Sequence, residues 1–80
     1  MLKVEVFYNG DTDSETPLRA DELKTKFGSS IDLYVLDISE DTAPEAYGTI
    51  NAPIVVLNEK QKFQLDKPEG LTSIVTKAIF

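Results

Sequence analysis

Two apolar runs with a single amphipathic stretch between them constrain this chain most. In the first run, residues 2–8, Leu2, Val4, Val6 and Tyr8 fall on one side and Lys3, Glu5 and Phe7 on the other. That is the period-two pattern of a strand, and Asn9-Gly10 ends it with a turn signal. Over residues 17–27, Ala20, Leu23 and Phe27 recur at i, i+3 and i+7, which predicts a helix with one apolar stripe. Thr16 reads as its N-cap, Pro17 as its first residue, where a missing N–H costs nothing, and Gly28 as the residue that ends it. Asp21 and Glu22 sit early and Lys24 and Lys26 late, as the helix dipole favours. Residues 31–38 form the second run, continuously apolar in the manner of a strand covered on both faces. Two strands joined through a helix form a parallel pair.

The remainder extends this unit. Residues 39–49 are polar, with a short helix expected near Pro44–Tyr47. Asn51-Ala52-Pro53 leads into a strand at Ile54–Leu57, Asn58-Glu59-Lys60 reads as a hairpin turn, and Gln61–Leu65 as the returning strand. Asp66 and Pro68 signal another helix, and Leu71, Ile74, Val75, Ala78 and Ile79 carry its apolar face across 68–79. The expected fold is a single α/β domain over residues 1–80, with element order β-α-β-short α-β-β-α and a four-stranded mixed sheet flanked by helices. Eighty residues bury only about 60–65% of the surface the unfolded chain exposes. With no cysteine, the core must hold without a disulfide.

Composition narrows the chemistry. The chain has neither Cys nor His, so thiolate nucleophiles, cysteine metal sites and imidazole acid–base catalysis are excluded. Its net charge is −6 and its eight Lys and Arg residues are scattered singly, which argues against nucleic acid and anionic membrane surfaces as partners. No run approaches the roughly 18–20 apolar residues of a membrane span. Met1 leads into a strand-like alternation rather than a charged start and a long apolar stretch, and the cytoplasm is the expected location.

Element order and two local stretches, Leu36-Asp37-Ile38-Ser39-Glu40-Asp41 and Ala46 through Leu57, resemble the thioredoxin and glutaredoxin superfamily. The resemblance implies a thioredoxin-like fold, with Pro53 as the cis-proline that precedes the third strand. It also implies a ligand-binding face where the loop after the first strand meets Pro53, and where a substrate peptide lies against the backbone of Ala52. The family's reactive cysteine should stand in the stretch Asp11–Thr16, which has none. Ser14 and Thr16 are no substitutes, because a hydroxyl needs an activating base and there is no histidine to serve. The resemblance therefore implies a cysteine-free, degenerate member without thiol oxidoreductase activity. Its binding face is assigned to Asp11, Asp13, Ser14, Glu15, Thr16, Tyr47, Ala52, Pro53 and Ile54.

The acidic loop admits a second reading. Asp11, Asp13, Glu15 and Glu22 stand at positions 1, 3, 5 and 12 of a calcium loop, with Leu18 at the apolar position 8. Thr16 replaces the turn glycine of such a loop, Pro17 stiffens the next position, and a helix over 17–27 carries Glu22 away, so no metal is assigned. The carboxylate pairs Asp11/Asp13 and Asp21/Glu22 lack the burial that acid–base work requires, so no catalytic residue is expected.

The resulting reading is a non-catalytic binding domain that takes a peptide or partner protein at the degenerate face and uses no cofactor. Tyr8 and Tyr47 are expected near that face. The rival is a redox-associated protein that binds glutathione or works with another protein's thiol, although only Arg19 is at hand for glutathione's carboxylates. Strand 31–38 is expected at one sheet edge and 61–65 at the other. Lys60 and Lys62 discourage pairing at the second edge, which leaves 31–38 as the place for a homodimer contact.

Overall fold

A computed structural model describes residues 1–40, 48, 51–67 and 69–79. The strands are β1 (Leu2–Tyr8), β2 (Ile31–Asp37), β3 (Ile54–Leu57) and β4 (Gln61–Gln64), and the helices are α1 (Glu15–Phe27) and α2 (Gly70–Ile79). They make a small α/β fold with one four-stranded mixed sheet in the order β2-β1-β3-β4. β1 pairs in parallel with β2, while β3 is antiparallel to both β1 and β4. The expected short helix near Pro44–Tyr47, and Pro68 at the expected start of the last helix, lie outside the described residues.

Strand alternation sorts the side chains onto two faces. Val4 and Val6 of β1, Ile31 of β2 and Val55 and Leu57 of β3 meet Ala20 and Leu23 of α1 and Leu71 and Val75 of α2 in one buried cluster, so both described helices cover the same face. On the opposite face Phe7, Ile54 and Val56 form a second, smaller cluster with Leu36 and Ile38 against it. Below that cluster the opposite face turns polar: Lys3 Nζ lies 2.8 Å from Glu59 and 5.4 Å from the centre of the Tyr34 ring, and the Tyr34 hydroxyl donates to Asp32.

Two local expectations are corrected. α1 begins at Glu15, and neither Thr16 nor Ser14 caps it with a side chain. Asp13 does so, its Oδ1 accepting from the N–H groups of Glu15 and Thr16 at 3.0 Å each. An Asp competes well as a cap because its carboxylate also meets the positive end of the helix dipole. Pro17 still falls within the first turn, where N–H groups have no intrahelical partner to lose. β2 is not covered on both faces: Tyr34 is 50% and Val35 43% exposed, because the strand ends the sheet. The continuous apolar run arises from Ile31 and Leu33 facing α1 and Leu36 facing Phe7, with exposed positions between them.

The hairpin is as expected. Asn58 and Glu59 both take positive φ, 52° and 63°, as a tight turn between twisted strands requires. Asn58 also prolongs the β1–β3 ladder by donating its N–H to Lys3 O and accepting the Lys3 N–H on Oδ1.

Leu71 is fully buried where α2 meets the sheet. Leu71→Ala is expected to lower unfolding free energy by about 2–5 kcal/mol, read as a lower urea midpoint with an unchanged slope.

Candidate functional site

Register alone gathers the candidate residues at one end of the sheet. Tyr8 at the end of β1 pairs with Asp37 at the end of β2, and Phe7 pairs with Ile54 at the start of β3. The loop Asn9–Ser14, the segment Ile38–Glu40 and the segment Asn51–Pro53 therefore leave the sheet side by side.

Asn9 shapes the first of these loops. Its carbonyl accepts the N–H groups of Thr12 and Asp13 at 3.1 and 2.8 Å, and its Oδ1 accepts that of Asp11. The chain thus turns sharply away from the line of β1. The Asp37 carboxylate then ties the loop to β2, with Oδ1 accepting the Gly10 N–H at 2.8 Å and the Ser39 N–H and hydroxyl at 2.9 and 2.6 Å. A side chain at position 10 would collide with that carboxylate, so the close approach requires glycine.

These bonds set the ionisation. The Ser39 hydroxyl, followed by the Gly10 and Ser39 amides, holds the Asp37 carboxyl below its usual range. At Asp13 partial burial works upward, but the Thr16 hydroxyl and the Thr16 and Glu15 amides outweigh it and leave the group below its ordinary value. Tyr8 goes the other way: burial, and then the charges of Asp37, Glu40 and Asp13, push its phenol upward and keep it neutral. Tyr8 thus stands within reach of the Asp37, Glu40 and Asp13 carboxylates, while Asp11 and Glu15 are exposed on the loop after β1 and at the start of α1.

The third segment, Asn51–Pro53, leads into β3. The Ala52–Pro53 peptide is cis, as the resemblance implied. Gln64 Nε2 donates to the carbonyls of Asn51 and Pro53, and Leu65 N–H donates to Pro53 as well. The β1–β3 register ends at Phe7–Ile54, and neither Asn9 nor Ala52, whose bond to Pro53 is cis, continues it. Asn9 has turned into its own loop instead, and the Ala52 N–H and C=O have no hydrogen-bond partner among the described residues. A hollow of about 480 Å³ lies between the end of β4 and α2, bounded by Gln64, Asp66, Lys67, Ser73 and Ile74.

Several expected site residues take other roles. Thr16 is fully buried with its hydroxyl on Asp13, and Ile54 belongs to the smaller core cluster, so neither lies on the surface of the face. Asp13 is occupied in capping α1. Asp11, Ser14 and Glu15 are exposed, Ala52 and Pro53 are half-buried, and Tyr47 lies outside the described residues. The calcium-loop carboxylates are not brought together: Asp13 is spent on the helix cap, and Glu22 accepts from Arg19 at 3.3 Å. Among the described residues no group of three or more carboxylates is placed to hold a metal ion, and no helix is long and apolar enough to cross a membrane. Sequence reasoning missed Asp37 as an organiser of the site. The signal was the Asp37-Ile38-Ser39 order, in which an Asp bonds to the backbone two residues on.

No protein-family model matches the chain, and no curated protein matches it.

Because the folded Asp13 pKa is depressed, its stabilisation is present above the unfolded value of about 3.9 and is lost as pH falls through the lower folded value. Asp13→Ala is expected to cost about 0.5–2 kcal/mol near neutrality, with the gap to the parent closing as pH drops below the carboxylate range. Urea unfolding of both proteins across pH 2–7 reads this.

Proposed function

We propose that this chain is a thioredoxin-like, non-catalytic binding domain that takes an extended, basic segment of a partner protein at the end of the sheet bearing Tyr8 and Ala52. Support for the thioredoxin-like reading comes from the order β2-β1-β3-β4 with only β1 and β2 parallel, and from the cis-proline at the head of β3. The absence of cysteine removes the redox chemistry of that superfamily and leaves its groove as the feature with a use.

The observation that carries the binding reading is the open main chain of Ala52. An extended peptide lying beside the cis-proline pairs with the Ala52 N–H and C=O, which have no partner among the described residues, in the manner of strand addition. Tyr8 offers an apolar ring with a neutral hydroxyl beside it. Exposed Asp11, Glu15 and Glu40 supply a field that attracts lysine and arginine side chains and repels acidic ligands. The same field argues against glutathione, whose two carboxylates would face these groups while Arg19 is engaged with Glu22.

The test is a pair of amide NMR titrations, one with a short lysine-rich extended peptide and one with reduced glutathione. The peptide is expected to shift Gly10–Glu15 and Asn51–Ala52, to do so less at high salt, and to bind more weakly to Glu15→Lys. Glutathione is expected to leave the spectrum unchanged at millimolar concentration. Shifts with glutathione alone would overturn the proposal in favour of a redox-associated role, and peptide shifts away from these segments would remove the site.

A further inference from the structure

Asn9-Gly10 follows the end of β1, and the pair carries a reaction of its own. The Cγ of an asparagine is open to attack by the main-chain nitrogen of the next residue. A following glycine hinders that approach least, because it has no Cβ. Of the chain's three asparagines, Asn51 is followed by Ala52 and Asn58 by Glu59, and Asn9 alone is followed by glycine. Gly10 is exposed, so water has access to the pair.

The fold grips both reacting groups. Asn9 Oδ1 accepts the Asp11 N–H at 3.0 Å, which orients the side-chain amide and polarises its carbonyl. The nucleophile is the group withheld. Gly10 N–H donates to Asp37 Oδ1 at 2.8 Å, and the same oxygen is anchored by the Ser39 N–H and hydroxyl. To attack, the Gly10 nitrogen must give up its proton. That forfeits a charge-assisted hydrogen bond and sets a developing negative charge against a carboxylate. Asp37 is also a poor base for the proton, because the Ser39 hydroxyl and the Gly10 and Ser39 amides hold it below the usual carboxylate range.

We propose that Asn9 is a site of deamidation, and that the hydrogen bond from Gly10 to Asp37 keeps it latent in the folded protein. When that bond opens, the Gly10 nitrogen bonds to Asn9 Cγ, the Cγ–Nδ2 bond breaks, and the side-chain nitrogen leaves as ammonia with the Gly10 proton. Water then opens the five-membered imide at either carbonyl and leaves aspartate or isoaspartate at position 9, with nothing oxidised or reduced. Either product adds one negative charge next to Tyr8, in the loop that Asp37 holds. Isoaspartate also lengthens the main chain by one methylene at the carbonyl that holds the Thr12 and Asp13 amides, so the turn into α1 cannot re-form unchanged. The reaction marks molecules whose loop has opened, and it does not depend on what the face binds.

Peptide mapping by mass spectrometry, with aspartate and isoaspartate distinguished by fragmentation, reads the reaction. The samples are the folded parent, the parent in urea, and Asp37→Ala, Ser39→Ala and Val75→Ala, each variant checked for parent-like circular dichroism. In urea Asn9 should react before Asn51 and Asn58. The folded parent should react at Asn9 at least about tenfold more slowly, and Asp37→Ala at least about tenfold faster than the folded parent, as loss of a hydrogen bond to a charged group requires. Ser39→Ala keeps the Gly10 bond, and Val75→Ala weakens the core away from the loop. Both should stay slow, which separates opening of the loop from unfolding of the chain. In the folded parent the Gly10 amide should be protected from hydrogen exchange, a readout that needs no variant to fold. The proposal is overturned by an unprotected Gly10 amide, a folded parent as fast as the urea sample, Asp37→Ala as slow as the parent, Val75→Ala as fast as Asp37→Ala, or another asparagine reacting first in urea.

Discussion

Everything in this fold hangs on β1 having a strand on each edge and a packed cluster on each face. Val4 and Val6 are wholly buried toward the helices and Phe7 almost wholly on the other side. A strand in that position sets the register of β2 and β3 at once, and a slip of one residue would exchange Val4 and Val6 for Lys3 and Glu5 in the main core. Its length also decides where the open end lies. β1 stops at Tyr8, Asn9 bends the chain with its own carbonyl, and the Ala52 main chain, two residues before β3, has no hydrogen-bond partner among the described residues.

Charge is then divided between internal and external uses. Asp13 and Asp37 are turned inward onto backbone amides, where they fix the start of α1 and the turn at Gly10, and both are held in the ionised form by those donors. Asp11, Glu15 and Glu40 are exposed and have no such engagement among the described residues. At the opposite end Lys3 gathers Glu59 and the Tyr34 ring, and lysine's charge and hydrogen bond depress the Glu59 carboxyl. The two ends of β1 therefore differ in kind: one holds the Lys3–Glu59 ion pair, and the other the hydrogen-bonded carboxylates of Asp13 and Asp37.

Strands and helices with clean periodicity were legible from the sequence because burial follows period directly, as at Leu2–Tyr8 and Leu71–Ile79. The start of α1 was misplaced because Thr16-Pro17 is a good local signal, and Asp13 outcompetes it only through two amides that the folded loop presents together. Thr16 was expected on the binding face, yet its hydroxyl is drawn into the core side of the loop by Asp13. β2 read as a covered strand because a continuous apolar run does not distinguish a central strand from an edge strand that contributes residues to clusters on both faces. Asp37 escaped notice because its decisive partner, Gly10, is 27 residues away in sequence. The Ala52 position was reached through a resemblance, but that its main chain lacks a partner among the described residues follows only from the fold.

The most direct measurement is native-state amide hydrogen exchange at Ala52 in the free protein. If β1 ends where Asn9 turns, the Ala52 amide exchanges close to the rate of an unstructured amide, while Ile54, paired with Phe7, and Leu65, bonded to Pro53, are protected. Protection of Ala52 comparable to that of Leu65 would contradict the account, because the position would already be filled from within the chain.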